Sequence, residues 1–148
     1  DLSWGKVRIW NDTDTFLGWM KVDKANAERG DVLTYVVHLK DAASSSALGT
    51  VDIPIPEGTT FVPGSLSGGQ YVTDSSDPTL GKGRIVWGGP IGGKVLHTPD
   101  AHITYQVRIN SDAACGIFNE GLVTVAGRTY RLTAVTQLPC VYIPYLMR

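Results

Sequence analysis

Apolar and polar residues alternate with period two along much of this chain, a pattern that favours β-strands with one buried face. In AHITYQVRIN (101–110) the side chains predicted to face the core are Ile103, Tyr105, Val107 and Ile109. In DVLTYVVHLK (31–40) they are Leu33, Tyr35, Val37 and Leu39. No window sustains the period of an amphipathic helix, and the only helical element predicted is a turn near Lys24 to Arg29.

Further strands are predicted between clusters of glycine, proline and serine. They are TVDIPIPEG (50–58), GRIVWGG (83–89), GLVTVAG (121–127) and TYRLTAV (129–135), the last two joined as a hairpin across Gly127-Arg128. Pro54 and Pro56 lack the N–H that a central strand needs, so TVDIPIPEG is predicted to be an edge strand or a strand end. Short strands at this spacing predict an all-β antiparallel sandwich.

The composition fits one folded domain with few charges. Of the 148 residues, 43% are hydrophobic and 18% are charged, and the formal net charge is −1. This balance offers no basic surface for nucleic acid. No apolar run reaches the roughly 18 residues that cross a bilayer, so no transmembrane segment is predicted. The chain begins at Asp1 rather than at methionine, from which we expect a processed start.

The two cysteines, Cys115 and Cys140, flank a run of strand-forming residues. If they pair, the closed loop contributes about 3.5 kcal/mol through the entropy of the unfolded chain. A disulfide would also indicate an oxidising compartment. Two separate buried thiols are the alternative.

Several blocks of the sequence resemble, in order, a known surface-protein repeat. AERGDVLTYVVHLKD resembles its opening Gly-Asp turn and strand. The next block resembles its hallmark D-x-L-P-x-G-L-T-F-V-x-G-S through Asp52, Ile55, Pro56, Gly58, Thr60, Phe61, Val62, Gly64 and Ser65. The later blocks resemble its closing strands through Trp87, Ile91, Thr104, Tyr105, Val107, Asn119, Thr124 and Val125. The family is the bacterial and archaeal repeat called "domain of unknown function" eleven.

This resemblance covers about Lys21 to Gly127 and implies an immunoglobulin-like sandwich in secreted or surface-layer proteins, where it acts as a spacer or structural module. The chain departs from the family in its single copy, its aromatic N-terminal segment and its apolar tail after Cys140. We therefore divide the chain into an N-terminal extension with an added strand (1–20), the sandwich (21–140) and a C-terminal strand (141–148).

The C-terminal segment VYIPYLMR is apolar on both faces of a strand. The side chains predicted to form a subunit interface there are Val141, Tyr142, Ile143, Tyr145, Leu146 and Met147. Three fates remain open for an apolar terminus: burial in its own domain, burial in a neighbouring copy, or attachment to a membrane. Pro144 favours a position along an open sheet edge, where a segment of another chain can add as a strand. The alternative donor is the N-terminal segment, through Trp4, Val7, Ile9 and Trp10.

No enzyme motif is present. The chain has no G-x-S-x-G, and His38, His97 and His102 have no catalytic partner at a recognisable spacing. His38 and His102 are predicted on outward strand faces, where a histidine is usually solvated. We predict no catalytic residue, no metal site and no cofactor.

Three modification or ion sites have formal support in the sequence. NDTD (11–14) and DSSD (74–77) offer oxygen ligands for calcium, but such clusters are typical of turns and neither completes an EF-hand loop. Asn11 begins an N-glycosylation sequon. An amide crosslink to Asn119 beside Glu120 would need Lys21 or Lys24 to face it.

Together these patterns predict a secreted, non-enzymatic β-sandwich outside the cell or at its surface. The favoured hypothesis is a structural subunit that polymerises head to tail with copies of itself by donating a terminal strand. The rival hypotheses are an adhesin or carbohydrate-binding module that contacts cell-surface glycans, a spacer domain of a larger surface protein, and an anchoring role for the tail.

Overall fold

The alternating stretches form strands in the computed structural model, which describes residues 17–40, 47–73, 83–91 and 101–140. Within these ranges the strands are β1 (Trp19–Val22), β2 (Val32–Leu39), β3 (Ala47–Pro54), β4 (Thr59–Phe61), β5 (Gln70–Thr73), β6 (Gly83–Ile91), β7 (Ala101–Ile109), β8 (Gly116–Val125) and β9 (Arg128–Gln137). No helix occurs in the described ranges.

Two antiparallel sheets face each other. One has the order β1-β2-β7-β4 and the other the order β5-β6-β3-β8-β9. The predicted all-β, immunoglobulin-like antiparallel sandwich is therefore confirmed. Some consecutive strands pair within one sheet, whereas others lie in opposite sheets, so the chain passes repeatedly from one sheet to the other.

The core lies between the sheets and is made by the residues that the alternation assigned to it. In β2 and β7 the inward side chains are at most 1% exposed: Leu33, Tyr35, Val37, Leu39, Ile103, Tyr105, Val107 and Ile109. Gly121 of β8 has no room for a side chain, because a Cβ there would lie 2.7 Å from Cγ1 of Ile53 on the neighbouring strand β3 and 3.3 Å from Cε of Met20 on the opposite sheet. A larger residue at 121 would therefore displace core side chains.

Three local predictions need correction or refinement. β3 lies between β6 and β8, so the edge-strand alternative is wrong, and Pro54 stands instead at the end of the strand. The β8–β9 hairpin exists, but its turn residues are Ala126 and Gly127, with φ of 53° and 75°, and Arg128 already pairs with Val125. These positive φ values match a two-residue turn that follows the twist of the strands.

The predicted helical turn over Lys24 to Arg29 is wrong, because this segment runs along β9 instead. The Ala27 N–H donates to the Gln137 carbonyl at 3.0 Å, and the Gln137 N–H donates to the Ala25 carbonyl at 2.9 Å. The segment thus caps the last residue of β9 from the side away from β8.

Cys115 and Cys140 form the predicted disulfide, with their Cα atoms 5.0 Å apart. The bond links the residue before β8 to the third residue after β9. Several predicted sites lie outside the described residues. They are Trp4, Val7, Ile9 and Trp10, the sequon at Asn11, the calcium candidates 11–14 and 74–77, and the C-terminal segment 141–148.

Candidate functional site

The outer edge of β9 is open over most of its length. β9 pairs with β8 through all its residues from Arg128 to Gln137. On its other side, the main chain of Gln137 bonds to Ala25 and Ala27, and no described strand pairs with Thr129, Arg131, Thr133 or Val135. Because Gln137 directs its main-chain groups outward, the period of two directs those of Thr129, Arg131, Thr133 and Val135 outward as well.

The end of β9 is held at a junction made by Arg29. Its guanidinium donates to three main-chain carbonyls, those of Ala113 at 2.9 Å, Pro139 at 2.8 Å and Ala114 at 3.0 Å. The Leu138 N–H also donates to the Cys115 carbonyl at 2.9 Å. Residues 138–140 are thus held by the disulfide, by the hydrogen bond from Leu138 and by the guanidinium of Arg29.

A second feature is the outer face of the five-stranded sheet, which carries exposed apolar side chains. Among the residues that the structure describes, the large hydrophobic side chains that are at least 42% exposed all lie on this face: Leu48, Val72, Phe118, Leu122 and Val135. Phe118 and Val135 are directly opposite each other on β8 and β9. Polar pairs separate these side chains, including the exposed ion pair of Arg84 with Asp52 at 2.6 Å.

The sheet has a shallow groove of about 620 Å³ beside this face, at the first residue of β5. β5 pairs with β6 only from Gly83 to Val86, so the following residues of β6 have no described strand partner on that side. The groove is lined by Thr50, Val51, Asp52, Gly69, Gln70, Val86, Trp87 and Gly88. It combines one half-buried indole with hydroxyl, amide and carboxylate groups.

The outer face of the four-stranded sheet carries a row of three rings. Trp19, His38 and His102 are cross-strand partners on β1, β2 and β7. The imidazoles of His38 and His102 are stacked, with centroids 4.6 Å apart and planes 15° apart. The indole of Trp19 meets His38 edge-on at 4.9 Å, and the Lys21 ammonium lies 4.6 Å from the indole centroid.

Asn119 and Tyr105 form a buried polar cluster in the described part of the core. The Asn119 amide donates to the Tyr105 hydroxyl at 2.6 Å, and Tyr35 stacks on Tyr105 with centroids 5.3 Å apart. Burial raises the pKa of Tyr35, and Tyr105 and Asp23 add to the shift. Burial also raises the pKa of Tyr105, while the hydrogen bond from Asn119 opposes this shift.

No described lysine is bonded to Asn119. The Lys24 ammonium donates instead to the Val32 carbonyl at 2.9 Å and pairs with Asp23 at 3.2 Å. Across the part of the chain that the structure describes, no three histidine, cysteine or acidic side chains are grouped as a metal site. None of the described segments is a helix long and apolar enough to cross a membrane.

Comparison with known proteins identifies the fold. No protein-family model matches the sequence, and no curated protein matches it either. A protein from Corynebacterium diphtheriae described as membrane anchored is 11% identical, with a TM-score of 0.56, over 93% of this chain and 39% of its own. BslA, a bacterial hydrophobin, is 10% identical, with a TM-score of 0.52, over 85% of this chain and 96% of its own.

A collagen-binding domain from a Staphylococcus aureus adhesin is 10% identical, with a TM-score of 0.49, over 80% of this chain and 95% of its own. At these identities the likenesses to the Corynebacterium protein and to BslA show the sandwich fold alone. This chain spans 39% of the length of the Corynebacterium protein, so it corresponds to one part of that longer chain.

Among the sequence-predicted site residues, the structure brings together Cys115 and Cys140. The terminal interface residues lie outside the described ranges, so their prediction stands untested. Sequence reasoning missed the three-carbonyl junction at Arg29 and the contact between His38 and His102. The register of β2 against β7 creates that contact, and neither strand alone carries a signal for it.

Proposed function

We propose that this chain is an extracellular β-sandwich subunit that assembles with copies of itself by strand addition at the outer edge of β9. The observation that carries the proposal is that no described strand is bonded to the outward main-chain groups of Thr129, Arg131, Thr133 and Val135. Four residues there direct N–H and C=O groups outward, and unpaired edge groups of this kind attract extended segments.

The C-terminal segment is the proposed donor. Its eight residues, 141–148, would extend about 26 Å as a strand, and the open part of β9 has the same length. Apolar side chains on both faces of the donor suit a position at the margin of a sandwich, where one face reaches the core. Burying five of them contributes roughly 7–15 kcal/mol before the costs of association.

The geometry at the end of β9 favours a neighbouring copy as the acceptor. A tail that turned back onto its own β9 would begin beside Gln137, but Ala25 and Ala27 already bond to that position. Arg29 and the disulfide also hold Pro139 and Cys140 on the side of β8. A tail from another subunit need not start beside Gln137, so it can reach Thr129 to Val135 of its neighbour without crossing that position. Head-to-tail contacts that do not close produce filaments.

An extracellular location belongs to the same proposal. The disulfide supports it, because such bonds persist in oxidising compartments. The resemblance to the surface repeat "domain of unknown function" eleven also supports it, and so do the comparisons: the Corynebacterium diphtheriae protein described as membrane anchored has the same sandwich fold. A spacer within a larger surface protein would use the same fold without the exchanged strand.

Proline substitution at the β9 edge tests the assembly. Thr133→Pro removes one outward N–H while leaving the bonds of β9 to β8 in place, so the subunit should fold but bind the donor poorly. Thr133→Ala is the matched control. Light scattering after size-exclusion chromatography, over a range of concentrations, should show multimers for the wild type and the control and a shift to monomer for the proline variant.

Ile143→Asp tests the donor in the same assay, with Ile143→Val as its control. A charge placed in the donor should prevent multimers, whereas the smaller apolar residue should preserve them. Wild-type protein that stays monomeric at every concentration would refute the polymer. Multimers that survive both Thr133→Pro and Ile143→Asp would place the subunit contact elsewhere.

A second candidate function is carbohydrate binding in the groove beside β5. Trp87, whose half-buried indole also packs against the core, lines this groove, and Gln70, Thr50 and Asp52 supply groups that can bond to hydroxyls. Sedimentation with insoluble polysaccharides should then deplete the wild type but not Trp87→Ala. Equal sedimentation of both proteins would exclude this groove as the site.

A further inference from the structure

His38 and His102 are held side by side on the outer face of the four-stranded sheet. They are direct partners in the register of β2 with β7. Hydrogen-bonded and non-hydrogen-bonded pairs alternate along two antiparallel strands. The Ile109 N–H donates to the Asp31 carbonyl, so odd-numbered residues of this segment form the hydrogen-bonded pairs with β7. His38 is even-numbered, so its pair with His102 is of the non-hydrogen-bonded type. Side chains of such pairs lie closest together, and the ring centroids are 4.6 Å apart.

We propose that these two imidazoles bind a divalent transition-metal ion of the zinc, nickel and copper group. Neutral imidazole is the ligand that these ions commonly take from proteins. The two rings are nearly parallel and adjacent, so binding one ion requires His102, the exposed ring, to turn toward His38. Two protein ligands leave the other coordination positions to water, which reaches the site because His102 is exposed.

The scaffold around the pair suits a chelating site. β2 and β7 are paired at eight successive positions, from Val32 with Arg108 to Leu39 with Ala101, so the two Cα atoms hold their spacing. Trp19 packs edge-on against His38 and limits the freedom of that ring. Both cysteines of the chain are joined in the disulfide, so no thiolate competes for the metal. This inference is independent of the strand-addition proposal.

Titration of the untagged, full-length protein with Cu²⁺ tests the site, because copper binds most tightly among these ions. Isothermal titration calorimetry at about pH 7.5, where an ordinary imidazole is neutral, should show one ion bound per chain. His38→Gln and His102→Gln should each weaken binding by about 10²-fold, since either ring alone loses the chelate advantage. Tryptophan fluorescence should also fall on binding, because Trp19 lies next to His38.

His97→Gln is the matched control, because it removes the third histidine of the chain and leaves the stacked pair intact. It should bind Cu²⁺ as the wild type does. Wild-type affinity in either His38→Gln or His102→Gln would overturn the two-ligand site, and so would an equal loss in His97→Gln. Circular dichroism and thermal unfolding of each variant separate loss of the ligand from loss of the fold.

Discussion

The Tyr105 hydroxyl accepts a 2.6 Å hydrogen bond from the Asn119 amide between the two sheets, while the neighbouring Tyr35 hydroxyl has no partner among the described residues. The two rings are stacked and fully buried. Two chemically identical side chains therefore differ in what their hydroxyl groups contribute to stability.

Removing each hydroxyl should have unequal effects. Tyr105→Phe should lower the free energy of unfolding by about 1–3 kcal/mol, because it leaves the buried Asn119 amide without its acceptor. Tyr35→Phe should leave it unchanged or raise it, since the lost group is buried and unpaired. Urea unfolding followed by circular dichroism measures both variants, and equal losses would contradict this account.

Alkaline pH should destabilise the fold through the same two tyrosines. Burial raises the pKa of Tyr35 and Tyr105 above the ordinary value of 10.0. Above that pH the unfolded chain releases these protons while the folded chain keeps them, so the free energy of unfolding falls as pH rises. Each tyrosine contributes a slope of at most about 1.4 kcal/mol per pH unit.

The double variant Tyr35→Phe/Tyr105→Phe provides the control for this pH dependence. Its free energy of unfolding should change much less between about pH 9 and pH 11, because the two groups that bind protons differently in the two states are gone. An unchanged slope in the double variant would assign the alkaline loss to other residues.

Arg29 should be poorly replaced by lysine. Arg29→Lys keeps the charge but cannot present the planar fork that reaches Ala113, Ala114 and Pro139 together. We expect a loss of about 1–2 kcal/mol in the free energy of unfolding and faster amide exchange at Leu138. Arg131→Lys, which alters only an exposed ion pair with Glu120, should cost less than about 0.5 kcal/mol.

The hairpin turn offers a stabilising substitution. Ala126 has φ of 53°, a left-handed conformation that costs an alanine more than it costs asparagine. Ala126→Asn should therefore raise the free energy of unfolding by about 0.5–1 kcal/mol, which thermal unfolding detects as a higher melting temperature. Gly127→Ala, at φ of 75°, should lower it, and the same direction for both variants would contradict the turn assignment.

The sequence predicted what depends on local periodicity. The inward residues of β2 and β7 follow from alternation alone, and all of those predicted are buried. Pro54 shows the limit: a missing N–H cannot distinguish an edge strand from the last residue of a central one, because that depends on which strands lie beside it.

The candidate site was less predictable because its parts meet only through the register of distant strands. His38 and His102 are far apart in sequence, and a shift of one residue between β2 and β7 would place them on opposite faces. Arg29 likewise reads as an ordinary turn residue until residues 113–114 and 139 fold beside it. Composition and sequence motifs carry no information about such contacts between residues far apart in the chain.

The disulfide between Cys115 and Cys140 also determines how mechanical load enters this subunit. A pull on the chain beyond Cys140 passes through the sulfur bridge to Cys115 and back along the chain toward β7. β8 and β9 lie within the loop that the bridge closes, so neither strand carries this tension. The bond therefore shields the β8–β9 ladder from a force applied to the end of the chain.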